Sequence, residues 1–149
     1  MAAEEADEIG PIDYLLVEWP GQQPNGEVAP HLIDLVERGI IRVLDLAVFT
    51  KGEDGTLAAI ELEDLGGPAE HLKVFHGVSS GLIHEDDLGE AAEALEPGTS
   101  AALLVYENSW AAPFASAVRR SGGQLVANGR IPVQAVLAAL DALEQADAA

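Results

Sequence analysis

Acidic, amide and aromatic side chains follow two apolar runs of the sequence, at the points where each run ends. They are Glu18, Trp19, Glu107, Asn108 and Trp110. Loops at strand ends commonly hold ligand groups, and two carboxylates there can work as acid and base in a buried pocket. The pattern predicts a ligand-binding pocket lined by these residues. The alternative is that both glutamates are solvated and both tryptophans pack at the sheet margin or in a subunit interface.

A second group of side chains combines imidazoles and carboxylates within sixteen residues. Its members are His71, His76, His84, Glu85 and Asp86. These are ligand types for zinc, but the separations of five and eight residues between the histidines match no metal-site motif. We therefore predict no metal and no cofactor, with histidines that are solvated or cap helices. The sequence also has no GxSxG motif and no glycine-rich phosphate loop before a helix, so no catalytic residue is predicted.

The first half of the chain predicts a strand, a helix and a hairpin. Residues 13–19 are almost continuously apolar, which is typical of a strand buried on both faces. Apolar residues recur at helical spacing from Val28 to Val36, and Gly39 is placed to end that helix. Residues 39–62 form two β-rich runs around the turn sequence KGEDG, which predicts a hairpin.

The second half repeats this arrangement. A short helix over 86–95 precedes a buried strand at 101–107, a helix at 112–121 and another strand at 124–131. Two βαβ halves in one sheet predict an α+β ferredoxin-like sandwich, in which the hairpin's second strand is an extra edge strand and 132–146 a C-terminal helix. Residues 1–10 are predicted to be a disordered acidic tail, and 11–146 a single domain.

Two features of the predicted strands need tertiary partners. Asp45 interrupts an apolar run, so it is expected at a bulge, on the solvent side of an edge strand, or paired with a distant base. A further group is expected to point away from the crossover helices and to need a cover from the last helix, a second subunit or both. That group contains Tyr14, Leu16, Leu104 and Tyr106.

Several stretches resemble an uncharacterised actinobacterial family, the domain of unknown function 6325. They are DYLLVEWPG, GIIRVLDLAVFTK, DDLGEAAEALEPGTSA and a Gly-Gly pair before the last predicted strand. That family is similar to the membrane-associated domain of unknown function 1269, in which a glycine-zipper segment follows the hairpin. The corresponding residues here, EHLKVFHGVSSGLIHEDD, are polar, so the resemblance does not imply membrane association. It brings no catalytic residues.

The composition indicates which classes of partner and which location to expect. Seven Lys and Arg stand against 26 Asp and Glu, a net charge of -19, which repels phosphate backbones and anionic lipid. Neither nucleic acid nor membrane is an expected partner. The sequence contains no cysteine, no long apolar segment and no signal-peptide pattern, and a cytoplasmic location is therefore expected.

The function expected from these features is that of a non-enzymatic, self-associating module with a regulatory or scaffold role. Its partner would be itself, as a homodimer or larger homo-oligomer, and a different protein partner is also allowed. The alternative is a small-molecule-binding protein or enzyme with its pocket near Glu18 and Glu107. A polar-lined cavity there would favour the alternative, whereas a filled core and a large apolar contact would favour the module.

Overall fold

The computed structural model describes residues 9–21, 26–64, 67–75, 77–78, 81 and 84–148. Its strands and α-helices, in chain order, are β1 (Ile12–Trp19), α1 (Val28–Glu37), β2 (Arg42–Lys51), β3 (Leu57–Ile60), α2 (Glu85–Glu93), β4 (Thr99–Glu107), α3 (Ala112–Arg120) and α4 (Val133–Ala148). Short 3-10 helices cover Leu62–Asp64, Gly67–Phe75 and Ser109–Ala111. The predicted α+β class is confirmed. Of the predicted acidic tail, residues 1–8 lie outside the described part of the chain.

The four strands form one antiparallel sheet in the order β1-β4-β2-β3. The two long apolar strands, β1 and β4, pair along their whole length, as the sequence predicted. Strand β1 has a neighbour on one side only and is therefore an eight-residue edge strand.

One face of the sheet is covered by α1 and the 3-10 helix Gly67–Phe75. The buried residues of this core are Leu32, Ile41, Val43, Val48, Leu62, Phe75 and Tyr106. Those that belong to strands alternate with residues of the other face, because successive side chains in a strand point to opposite sides. Both sides of the sheet are therefore apolar, as the continuous runs of the sequence indicated.

The second face is partly covered by α2. Its core contains Phe49, Leu95, Ala101 and Leu103, with Leu16, Ala47 and Leu88 packed alongside. Helix α2 thus supplies some of the cover that the sequence assigned to the last helix or a second subunit.

The predicted grouping of outward-facing residues is wrong for two of its four members. The register of the β1–β4 pair sets Leu16 opposite Leu103, so Tyr14 and Leu16 lie on the α2 side of the sheet. Leu104 and Tyr106 lie on the other side, in the core with α1. The error arises because sequence alternation gives two faces for each strand but not which faces coincide in neighbouring strands.

Glycines end two of the predicted helices, as expected. After α1, Gly39 takes a φ of 71°, its N–H donates to the Val36 carbonyl at 3.0 Å, and the Ile40 N–H donates to the Leu35 carbonyl at 3.0 Å. Gly122 follows α3 with a φ of 87° and the same pair of bonds. These are Schellman motifs, and their left-handed residue strongly favours glycine.

The hairpin and the bulge also match the sequence. The β2–β3 turn contains Gly55 at a φ of 86°, and the Asp54 carboxylate accepts from the Thr56 N–H at 3.0 Å. Bonds from the Thr56 backbone and side chain lower the pKa of Asp54. The pairing of β2 with β4 shifts register between Val43 and Asp45, which confirms the bulge alternative for Asp45.

Lys51, at the end of β2, ties the sheet to the C-terminal end of α2. Its ammonium donates to the carbonyls of Ala92 at 2.8 Å and Leu95 at 2.9 Å. Carbonyls at a helix end lack intrahelical partners and carry partial negative charge, so this cation satisfies and stabilises them.

We expect Lys51→Met to lower the free energy of unfolding by about 1–3 kcal/mol, because both carbonyls lose a charged donor. Urea unfolding would measure the change. Lys73→Met is the matched control: the Lys73 ammonium lies 3.7 Å from the Glu70 carboxylate in an exposed pair, and its loss should cost less than about 0.5 kcal/mol. Equal effects of the two substitutions would contradict a capping role for Lys51.

The C-terminal part of the chain differs from the sequence prediction. Residues 124–131, predicted as a strand, form no strand and are exposed throughout. Helix α4 is present as predicted, but none of its residues is buried. A strand needs a neighbour to accept its hydrogen bonds, and in the described chain this segment does not lie against the sheet.

Candidate functional site

The C-terminal end of β4 holds the most buried carboxylate among the predicted site residues. The Glu107 side chain is 8% exposed, and one of its oxygens lies 3.1 Å from Nε of Arg42. The N–H of Gly10 donates to its second oxygen at 2.8 Å, and the Ser109 hydroxyl donates to the first at 3.2 Å. Glu107 is therefore engaged by donors of its own chain and anchors the segment before β1.

Asn108 completes this attachment. Its backbone N–H and its side-chain amide donate to the Pro11 carbonyl at 2.7 and 3.1 Å. The same amide donates to the Asp13 carboxylate at 2.9 Å, and its oxygen accepts from the Trp110 indole N–H at 3.3 Å. Three of the five predicted site residues thus lie together, in a hydrogen-bonded cluster that holds residues 10–13.

The segment held by this cluster fits closely. Gly10, assigned to the disordered tail by the sequence, is buried, and a Cβ at this position would overlap the Asn108 carbonyl. The Ile9 carbonyl accepts from the Arg119 guanidinium at 3.3 Å. Ile9 and Gly10 therefore pack with the residues at the end of β4 and α3.

Glu18 and Trp19 lie elsewhere. Because β1 and β4 are antiparallel, Glu18 is opposite Ala101 at the far end of β4 from Glu107. Six residues of strand separate the two positions, which is about 20 Å. The structure does not bring the two predicted carboxylates into one pocket. The sequence placed them together because each follows an apolar run, but strand direction decides which ends meet.

A groove that the sequence analysis did not identify runs between α2 and the β1–β4 part of the sheet. Its volume is about 540 Å³. Its apolar lining consists of Ile12, Tyr14, Leu16, Ala91, Leu103 and Val105. Tyr14 is among these lining residues and is 73% exposed. The sequence signal for this groove was the apolar character of Tyr14 and Leu16. It could not identify the other lining residues, because these depend on the register between the strands.

The remaining lining residues of this groove are acidic. They are Asp87 and Glu90 of α2 and Asp13 of β1, although the Asp13 carboxylate is bonded to Asn108 and alternates with Tyr14 along the strand. Among the described residues, no base lines the groove with them. Asp87 accepts from the His84 N–H at 2.9 Å and so caps α2, whereas Glu90 is exposed. The groove therefore has an apolar floor and a negative rim, which suits an apolar segment with a cationic group.

The predicted histidine cluster falls partly outside the described residues. His76 and the side chain of Glu85 are not described, while His71, His84 and Asp86 are exposed. Within the described ranges, no three histidine, aspartate or glutamate side chains lie close enough to hold a metal ion. The absence of a bound metal remains a prediction.

The fold and the site define an α+β protein with a four-stranded antiparallel sheet, a hydrogen-bonded cluster at the end of β4 and an open groove on one face. The chain belongs to the family of unknown function DUF6325, whose family model matches residues 8–147, and the resemblance stated from the sequence is thereby confirmed. No curated protein and no solved structure matches the chain. Among the described residues, no helix has the length and apolar character needed to cross a membrane.

Proposed function

We propose that this protein is a non-enzymatic, self-associating module with a regulatory or scaffold role. The observation that carries the proposal is the C-terminal arm, defined as residues 121–148, in which every residue is exposed. Large apolar side chains of this arm lie in water: Leu125, Val126, Ile131, Val133, Val136, Leu137, Leu140 and Leu143. Val126 is 90% exposed. A single chain with this much uncovered apolar surface is expected to bury it against a partner.

Helix α4 has an exposed apolar side, which also indicates a missing partner surface. Val133, Val136, Leu137 and Leu140 follow the spacing i, i+3, i+4, i+7, which places them on one side of the helix. A 16-residue helix that has no buried residue gains little from tertiary packing and is only marginally stable in water. Packing of its apolar side against a second surface would supply the missing stabilisation.

The sheet has room for one more strand. In a ferredoxin-like sheet the strands of the two βαβ halves lie in the order fourth, first, third, second. Strands β1, β4 and β2 occupy the last three of those positions, and the place of the fourth is the free edge of β1. We infer that residues 124–131 take this place in the assembled protein, which completes the ferredoxin-like arrangement with β3 as the extra edge strand.

Burial of the apolar side chains of the arm can supply enough free energy for association. Burying one Val, Leu or Ile side chain contributes about 1.5–3 kcal/mol, and each arm has eight such residues. Even partial burial of two arms exceeds an association cost of about 4–15 kcal/mol. The non-enzymatic part of the proposal rests on Glu107 and Asn108, whose polar groups already bond within the chain.

Light scattering over a range of protein concentrations and salt concentrations tests self-association. The expected mass is twice the 15.6 kDa of one chain or a higher multiple, and the association should strengthen from about 0.05 M to about 0.5 M salt as the charge of -19 is screened. A mass of one chain under all conditions would contradict the proposed function.

A further inference from the structure

We propose that the C-terminal arm of one copy occupies the groove and the β1 edge of a second copy, and that the exchange is reciprocal. The inference rests on the proposed self-association and specifies its geometry. In this arrangement residues 124–131 extend the partner's sheet beside β1. Helix α4 then lies over the groove between β1, β4 and α2, with its apolar side on the groove floor.

The shapes and apolar surfaces of the two parts correspond. Amphipathic helices that dock in grooves use anchors at i, i+3, i+4 and i+7, the spacing found from Val133 to Leu140. The groove offers six apolar lining residues, one of which, Tyr14, is largely exposed without an occupant. Docking therefore covers apolar surface on both partners.

The charges also correspond. After Glu107 the next acidic residue in the sequence is Asp141, so 108–140 contains no acid in a chain that has 26. The same stretch contains Arg119, Arg120 and Arg130, three of the seven basic residues. The arm shares 121–140 with this stretch and has its three acids, Asp141, Glu144 and Asp147, only after it. Because the groove rim is acidic, residues 121–140, which carry Arg130, are the part of the arm that can approach the rim without charge repulsion.

The extended part of the arm suits the free edge. Residues 124–131 and strand β1 are both eight residues long, and Leu125, Ala127 and Ile131 alternate with polar Gln124, Asn128 and Arg130 apart from Val126 and Gly129. Pro132 has no N–H to contribute to a ladder, so pairing would end there, directly before α4 begins. An edge strand presents unpaired backbone groups that a second chain can satisfy.

A second copy is favoured over the same chain by the path of the arm. The arm begins beside the start of β1, where Arg119 contacts the Ile9 carbonyl, yet all of its residues lie clear of their own groove. Because the arm leaves the fold next to β1, it can reach the β1 edge and groove of a second copy placed alongside. The arm of that second copy can then occupy the β1 edge and groove of the first. A two-fold axis near β1 would close this exchange as a dimer.

The test uses the absence of cysteine, because introduced thiols are then the only ones in the chain. An affinity-tagged Tyr14→Cys chain is co-expressed with an untagged Leu140→Cys chain and treated with a short bismaleimide. We expect a covalent product containing one tagged and one untagged chain. The control replaces Tyr14→Cys with Val28→Cys, an exposed position on α1 at the opposite face of the sheet, and should yield little product.

The outcomes separate this inference from the proposed function. If light scattering shows a dimer but the Tyr14→Cys and Leu140→Cys chains do not cross-link, arm exchange is overturned and self-association stands. A chain that carries both Tyr14→Cys and Leu140→Cys tests the opposite case. If the cross-link forms only within that single chain, the arm folds back on its own groove and arm exchange is overturned.

The charge contact between the arm and the groove rim has its own test. Arg130→Glu should raise the dissociation constant at least about tenfold, and adding Glu90→Arg should recover most of that loss.

Discussion

Leu140→Asp is expected to convert the proposed dimer to a monomer at concentrations where we expect the unchanged protein to be dimeric. Leu140 lies in the middle of the apolar side of α4 and is half exposed in the single chain. Docking of α4 would bury it, and an aspartate there loses about 1.5–3 kcal/mol of apolar burial and adds the cost of desolvating a charge. Because a reciprocal dimer contains the site twice, the dissociation constant should rise by at least about a hundredfold.

The matched control is Ala138→Asp. It introduces the same residue into the same helix, at a position roughly opposite the apolar side, and its helix-propensity cost is at least as large because Ala is the better helix former. Light scattering should give unchanged association for Ala138→Asp, and urea unfolding of monomeric Leu140→Asp should show that the sheet domain has kept its stability. Equal weakening by both substitutions would mean that helix formation, not an apolar contact, controls the assembly.

Glu107→Ala should produce the largest loss of stability among the predicted site residues. It removes the acceptor for the Gly10 N–H, the Ser109 hydroxyl and the Arg42 guanidinium together. Arg42 is exposed and regains water, so most of the cost comes from the buried N–H and the space left behind. We expect the free energy of unfolding to fall by about 2–4 kcal/mol.

The control for this substitution is Glu18→Ala, the other carboxylate that the sequence selected. Glu18 is exposed on β1, and its removal should change stability by less than about 0.5 kcal/mol. Urea unfolding measures both variants, and hydrogen exchange at Gly10 should become faster only in Glu107→Ala. If Glu107→Ala is as stable as the unchanged protein, the cluster at the end of β4 does not anchor the segment before β1.

Much of the local structure was predictable because its causes are local. Apolar runs indicated β1 and β4, helical spacing indicated α1 and α4, and the glycines after α1 and α3 marked where those helices end. The charge interrupting β2 indicated an irregular or paired position for Asp45, and the register shift confirms the bulge among the three alternatives. Each of these inferences depends on residues within a few positions of one another.

The sequence by itself determined the order of the elements, the apolar character of both sheet faces and the family. Only the tertiary structure decided strand direction and register. Those two choices separate Glu18 from Glu107, move Leu104 and Tyr106 into the core beside α1 and create the groove next to Tyr14. The physical reason is that alternation specifies the two faces of one strand, whereas the pairing of strands far apart in sequence depends on contacts across the whole sheet. Residues 124–131 show the same limit: their composition favours a strand, but a strand forms only where a neighbouring edge accepts its hydrogen bonds.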